Sequence, residues 1–113
     1  MKRGDVWTVS GGPDYAGKPR PVVILQGDAF DATRSVTICP LTTSLVDAPL
    51  VRLAVEPSDL NGLRAPSSLM VDKITTVPRA KLDRRVGRLS SEDIARMNRS
   101  VFVFLALAGA AAP

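Results

Sequence analysis

Pro21-Val22-Val23-Ile24-Leu25 is the stretch on which the fold class turns. Three of its five apolar residues are β-branched, and the run is too short for a helix and shows no helical period. It reads as a strand buried on both faces. Upstream, Asp5-Val6-Trp7-Thr8-Val9-Ser10 is a looser strand, broken off by Gly11-Gly12-Pro13-Asp14, with irregular chain as far as Pro19. Downstream, Gly27 to Arg34 is a turn region. Ser35-Val36-Thr37-Ile38-Cys39-Pro40-Leu41 alternates as a third strand, and Thr42-Thr43-Ser44 is its polar end or a loop. Val51, Leu53 and Val55 alternate with Arg52, Ala54 and Glu56, predicting a half-exposed strand. Ser58-Asp59-Leu60-Asn61-Gly62 is turn chemistry. Ser67 to Asp72 and Lys73 to Val77 predict one or two more strands, and a basic stretch then leads to Val86-Gly87-Arg88-Leu89.

The last element is a helix. Ser90 is its N-cap, and Ser91, Glu92 and Asp93 place acid in the first turn. Ile94, Met97, Val101, Phe104, Leu105 and Ala108 recur at helical spacing, with Arg96 and Arg99 on the opposite face. Val101 to Ala112 is apolar but short of the roughly 20 residues a bilayer demands, and reads as the buried end of this helix with a small-residue tail. Short strands with a terminal helix predict a mainly β fold: one domain over residues 1–113, a small curled barrel with one helix packed on it.

At 113 residues and 45 % apolar content, the chain can bury a core without disulfides or metals. It has no histidine and a single cysteine, Cys39. Zinc chemistry and imidazole acid–base catalysis are thereby excluded, and no internal disulfide can form, which fits a reducing cytoplasm. No apolar leader follows Met1-Lys2-Arg3-Gly4-Asp5. The net charge of +4 is local: Arg79, Lys81, Arg84, Arg85 and Arg88 lie with one acid, Asp83, while the rest of the chain balances. Such a patch is the footprint of a phosphate-binding surface, or else a solvated face or linker.

Few reactive groups remain. Arg20 stands between Pro19 and Pro21, which limit where its guanidinium can swing. A planar fork fixed at a barrel mouth suits a phosphate, although an arginine there also suits a structural ion pair. Thr42, Thr43 and Ser44 can donate to phosphate oxygens or cap a turn. Asp72 follows an apolar run, where partial desolvation would raise its pKa toward that of a usable base; it also suits a loop-backbone hydrogen bond. Cys39 and Trp7 read as core residues.

Taken together, Arg3-Gly4-Asp5-Val6-Trp7, Gly17-Lys18-Pro19-Arg20-Pro21-Val22-Val23-Ile24, Pro40-Leu41-Thr42-Thr43-Ser44, Val71-Asp72-Lys73-Ile74 and Gly87-Arg88-Leu89-Ser90 resemble the MazF/PemK family of type II toxins in order and spacing. The resemblance implies an SH3-like barrel with a C-terminal helix, assembled as a homodimer. It implies a toxin–antitoxin module whose toxin is a cytoplasmic, metal-independent, sequence-specific endoribonuclease without cofactor, acting on single-stranded RNA such as mRNA. The 2′-OH would attack the adjacent phosphate and leave 2′,3′-cyclic phosphate and 5′-OH ends. The family's catalytic arginine and threonine fall on Arg20 and Thr42, with Asp72 as a third catalytic candidate. Lys18, Thr43, Ser44, Lys73, Arg79, Lys81, Arg84 and Arg85 are the candidate RNA contacts. The partners implied are RNA and a cognate antitoxin protein, with DNA reached only through the antitoxin and no membrane.

Three departures from the family pattern stand out. The first loop has no histidine, and Tyr15 occupies roughly that region. Met70 stands where some members have an arginine, and Pro19 is a one-residue insertion. They leave open a barrel that binds RNA or antitoxin without cutting. A gyrase poison on the same fold would end in Trp-Gly-Ile, whereas this chain ends Ala110-Ala111-Ala112-Pro113.

Overall fold

The computed structural model describes residues 1–10 and 18–107. Among these residues seven strands precede a helix: β1 (Asp5–Val9), β2 (Arg20–Ile24), β3 (Ser35–Thr42), β4 (Arg52–Val55), β5 (Ser67–Met70), β6 (Thr75–Pro78) and β7 (Leu82–Arg88), then α1 (Ser91–Phe104). Short 3-10 turns at Val71–Lys73 and Arg79–Lys81 flank β6. All strand pairs are antiparallel, in the order β4-β5-β3-β2-β1-β7, with β6 also on β3.

β3 is the centre of this arrangement. One edge pairs with β2. The other pairs twice, residues 35–38 with β6 and residues 41 and 42 with β5. The switch falls at Cys39 and Pro40, and proline has no N–H to give a ladder. The sheet therefore forks midway along β3. The opposite side closes through the turn after β4, where the Arg88 N–H donates to the Leu60 carbonyl at 2.9 Å. Only glycines allow that approach: a Cβ on Gly87 would collide with the Leu60 carbonyl oxygen. Gly62 has φ +70°, and a Cβ there would collide with the Val86 carbonyl oxygen.

Alternation sorts the apolar residues into two clusters. Val6, Val23, Cys39, Leu41, Leu69, Leu89 and Met97 fill the space between barrel and helix. Val9, Val22, Ile24, Val36 and Ile38 form a second cluster, which Trp7, Val77 and Leu82 cover. Val22, Val23 and Ile24 are all buried, so β2 is covered on both faces, as its unbroken apolar run requires. Cys39 is a core residue, and Trp7 packs at the margin of the second cluster.

The helix starts as its cap dictates, with the Asp93 N–H donating to the Ser90 hydroxyl at 3.1 Å. Two expectations fail along its length. Arg96 is not on the solvent face: it donates to the Ala54 carbonyl at 2.8 Å and pairs with Asp93 at 2.9 Å. It lies one turn before the buried Ser100, whose hydroxyl donates to the Leu50 carbonyl, so it falls on the barrel side. The expected burial of the helix end is also wrong. Phe104 and Leu105 are 45 % and 51 % exposed, because the barrel surface ends near Val101. Ala108 lies outside the described residues. Among those described, no helix is long and apolar enough to cross a membrane.

The basic stretch is neither linker nor loop. It forms a 3-10 turn and then β7, paired to β1.

Candidate functional site

The register Val22↔Pro40 and Val23↔Cys39 continues outward to set Arg20 opposite Thr42 at the open ends of β2 and β3. Side chains two residues apart share a face. Arg20 and Val22 therefore sit with Pro40 and Thr42, over one cleft of about 410 Å³. Met70 on β5, Lys73 after it and Thr75 on β6 supply the far wall. The fork in β3 creates this cleft, since β5 and β6 leave β3 on either side of the Val71–Lys73 turn. Three of the residues singled out from sequence, Arg20, Thr42 and Lys73, are thus brought together.

Thr42 is oriented by its own turn. Its Oγ1 accepts from the Ser44 N–H at 3.0 Å. The hydroxyl proton is left to point elsewhere and donate. That is the fitting state for a group that binds a phosphate oxygen. Ser44 and Lys18 are exposed and do not line the cleft.

Asp72 departs from expectation. It does not line the cleft. It sits in the turn after β5 and accepts two bonds from Arg52, at 2.8 Å from Nε and 3.1 Å from the terminal nitrogen. That guanidinium holds its carboxyl below the usual carboxylate range, outweighing the opposing effect of desolvation. The anticipated rise toward a base is reversed: a carboxylate held this way is a poor proton acceptor. Sequence reading passed over Arg52 because its partner is set by tertiary register. Arg52 stands directly across from Met70 in the β4–β5 ladder. Alternation with Val51 and Leu53 was the available signal, since it put Arg52 off the core face.

The basic residues divide by role. Arg79 donates to the Thr33 carbonyl at 2.7 Å and also to the Asp31 carbonyl, clamping the loop before β3. Arg85 pairs at 3.3 Å with the buried Asp5. Both also serve the fold through these contacts. Lys81 and Arg84 are exposed on and before β7. Thr43 and Arg84 do not face Arg20. They line a second cleft of about 380 Å³, on the other side of the β2–β3 strand ends. The cation of the barrel mouth is therefore not Arg20 but Arg84, with Arg64, a residue not singled out from sequence.

Burial pushes the Cys39 thiol up to about 12, with the nearby Asp72 charge adding to the rise, so no nucleophilic thiolate forms at neutral pH. Among the described residues, no group of three or more Cys, Asp and Glu side chains could hold a metal ion.

The family model for PemK-like, MazF-like toxins of type II toxin–antitoxin systems matches residues 2–105. A Mycolicibacterium smegmatis protein named probable endoribonuclease MazF is 55 % identical over 109 residues, covering 96 % of this chain and all of that one. Among solved structures, an endoribonuclease in complex with its cognate antitoxin from a mycobacterial species superimposes with a TM-score of 0.78 at 24 % identity, over 95 % of this chain and 96 % of that one. The Mycobacterium tuberculosis toxin MazF-mt6 does so with a TM-score of 0.76 at 24 % identity, over 90 % and 96 %. At these identities the structural matches speak for the fold.

Proposed function

Since this chain belongs to the PemK-like, MazF-like family of toxins of type II toxin–antitoxin systems, we propose that it is an endoribonuclease that cuts single-stranded RNA. The observation that carries the proposal is 55 % identity, over nearly the whole chain, to a protein named an endoribonuclease. The Arg20–Thr42 cleft is where we place the chemistry. In the proposed reaction the 2′-oxygen bonds to the adjacent phosphorus and the bond to the 5′-oxygen breaks. The products are a 2′,3′-cyclic phosphate and a 5′-OH. The 2′ proton leaves, and a proton is taken up by the departing 5′-oxygen. Negative charge grows on the phosphoryl oxygens in between. Arg20 meets that charge with a fork of donors and Thr42 with a hydroxyl already turned outward, which favours the transition state over the ground state. Lys73 adds positive charge at the far wall. Threonine is too weak a base to take the 2′ proton, and the ion pair with Arg52 removes Asp72 from that role.

The proposal extends to a cytoplasmic homodimer that an antitoxin protein restrains. We assign the exposed apolar end of α1 to the second copy. The test is cleavage of a long RNA in EDTA with the ends mapped. Wild type should cut at a short sequence without metal. Arg20→Ala and Thr42→Ala should each slow cutting by roughly 10²–10³-fold, the usual effect of losing one preorganised charge-stabilising group. Cutting at the wild-type rate by either variant overturns the site. Gyrase inhibition without RNA cleavage would instead favour the poison on the same fold.

A further inference from the structure

The second cleft is the mouth of the barrel, and its construction is unlike that of a surface dent. Along β1, β2, β3 and β5 the inward-facing residues Val6, Val23, Leu41 and Leu69 belong to the sealed core. One step outward on the same faces stand Thr8, Pro21, Thr43 and Ser67, where apolar packing stops and the cavity opens. Leu63 and Val86 add apolar walls, and Arg64 and Arg84 stand at the rim. Among the described residues, no Asp or Glu lines it. Both arginines are exposed, and their side chains form no ion pair or hydrogen bond within the described residues, in contrast to Arg52, Arg79, Arg85 and Arg96.

The rim is rigid. Asn61 accepts from the Ser58 and Leu63 N–H groups, both at 3.0 Å, and donates to the Glu56 carbonyl at 2.8 Å. Gly62 itself lies directly against the Val86 backbone. The loop that carries Leu63 and Arg64 is therefore positioned before any ligand arrives, and a site built in advance loses less freedom on binding.

The two clefts are back to back. Pro21 lines both, while consecutive residues divide between them: Arg20 and Thr42 face one, Thr43 the other. Consecutive Cα atoms are about 3.8 Å apart, so one strand end separates the two. A polymer with a phosphate at every unit and an apolar, hydrogen-bonding base between phosphates matches this pair of sites.

We propose that the barrel mouth is a second nucleotide subsite. It takes the base of a nucleotide next to the cut between Pro21, Leu63 and Val86, and that nucleotide's phosphate on Arg64 and Arg84. The subsite rests on the ribonuclease reading for its substrate and deepens it: Arg64 and Arg84 set affinity and base preference, while Arg20 and Thr42 perform the cut. The Thr8 and Thr43 hydroxyls are the polar groups placed to read the base edge.

The experiment has two arms. In the binding arm, a short fluorescein-labelled single-stranded RNA of mixed sequence is titrated against wild type, Arg64→Ala, Arg84→Ala and Thr43→Phe, with Arg34→Ala as an equal loss of charge at an exposed site elsewhere. Thermal melts check folding. Arg64→Ala and Arg84→Ala should each weaken binding roughly tenfold, as expected for loss of a charge-assisted contact. Arg34→Ala should change it far less. Thr43→Phe fills the mouth without altering charge, so its weakening should persist at high salt. In the cleavage arm, Arg64→Ala and Arg84→Ala should raise KM with kcat little changed and relax the base preference beside the cut. Binding that is unchanged in Arg64→Ala and Arg84→Ala, or lowered equally by Arg34→Ala, overturns the subsite. If wild type binds through the mouth but cuts nothing in EDTA, the cleavage reading fails and the subsite stands.

Discussion

Replacing Asn61 with alanine tests how the turn that closes the barrel is held. The side chain is 3 % exposed and satisfies three backbone groups: two N–H donors, on Ser58 and Leu63, and the Glu56 carbonyl. Alanine satisfies none of them. Each such bond contributes about 1 kcal/mol net, and a buried group left unpaired costs about 1–3 kcal/mol. Partial access of water at the turn lowers the sum, giving an expected loss of about 2–3 kcal/mol. Against the roughly 5–15 kcal/mol that holds a typical domain, the variant still folds at 25 °C. Urea titration followed by tryptophan fluorescence and circular dichroism is the assay. The slope should stay at the wild-type value, and the midpoint should fall by about 1 M or more, since slopes for small proteins are about 1–3 kcal/mol/M. Asn98→Ala, on the exposed face of α1, is the control and should stay within about 0.5 kcal/mol. A loss under about 0.5 kcal/mol for Asn61→Ala, at unchanged slope, refutes the reasoning.

Three further outcomes follow from other contacts. Because Arg52 lowers the Asp72 pKa in the folded state, the pair stabilises the fold at neutral pH. That contribution is lost as pH falls below the ordinary carboxylate value of about 4 and through the folded one. The stability gap between wild type and Asp72→Asn should therefore close on acidification, and a gap constant with pH contradicts the pairing. The Cys39 thiol, raised to about 12 and buried, should react with a disulfide reagent at pH 8 only as fast as the protein opens; fast labelling of the native state contradicts its placement. Val103 is 62 % exposed on the apolar helix end, so Val103→Asp should leave the monomer fold intact and shift sedimentation toward monomer. A dimer of wild-type strength would move the interface elsewhere.

The parts legible in the sequence were those set by local rules. The unbroken apolar run marked β2, the Ser90 cap with its acidic first turn marked α1, and alternation marked β3. Arg20 and Thr42 were found as separate positions, and a strand register that no local pattern encodes sets them face to face. The same holds for Arg52, whose carboxylate lies twenty residues on, and for Arg64, which becomes a rim residue only because the turn after β4 folds back on β7. Charge counting does not sort the basic stretch by environment. Arg79 and Arg85 satisfy a loop and a buried carboxylate, while Arg84, next to Arg85 in sequence, points into a different environment. Helical periodicity marked Phe104 and Leu105 as apolar without revealing that the barrel surface runs out beneath them.

The pairing of β1 with β7 joins the first strand of the chain to the last. During synthesis β1 leaves the ribosome with no partner on that edge, and it stays open until residues 82–88 are out. The cleft likewise requires Lys73 and Thr75, while α1, which covers the core through Met97, comes later still. Residues 82–88 must therefore be made before the barrel can close on that edge. Closure is thus tied to chain growth: a chain stopped short of Leu82 leaves the outer edge of β1 unpaired.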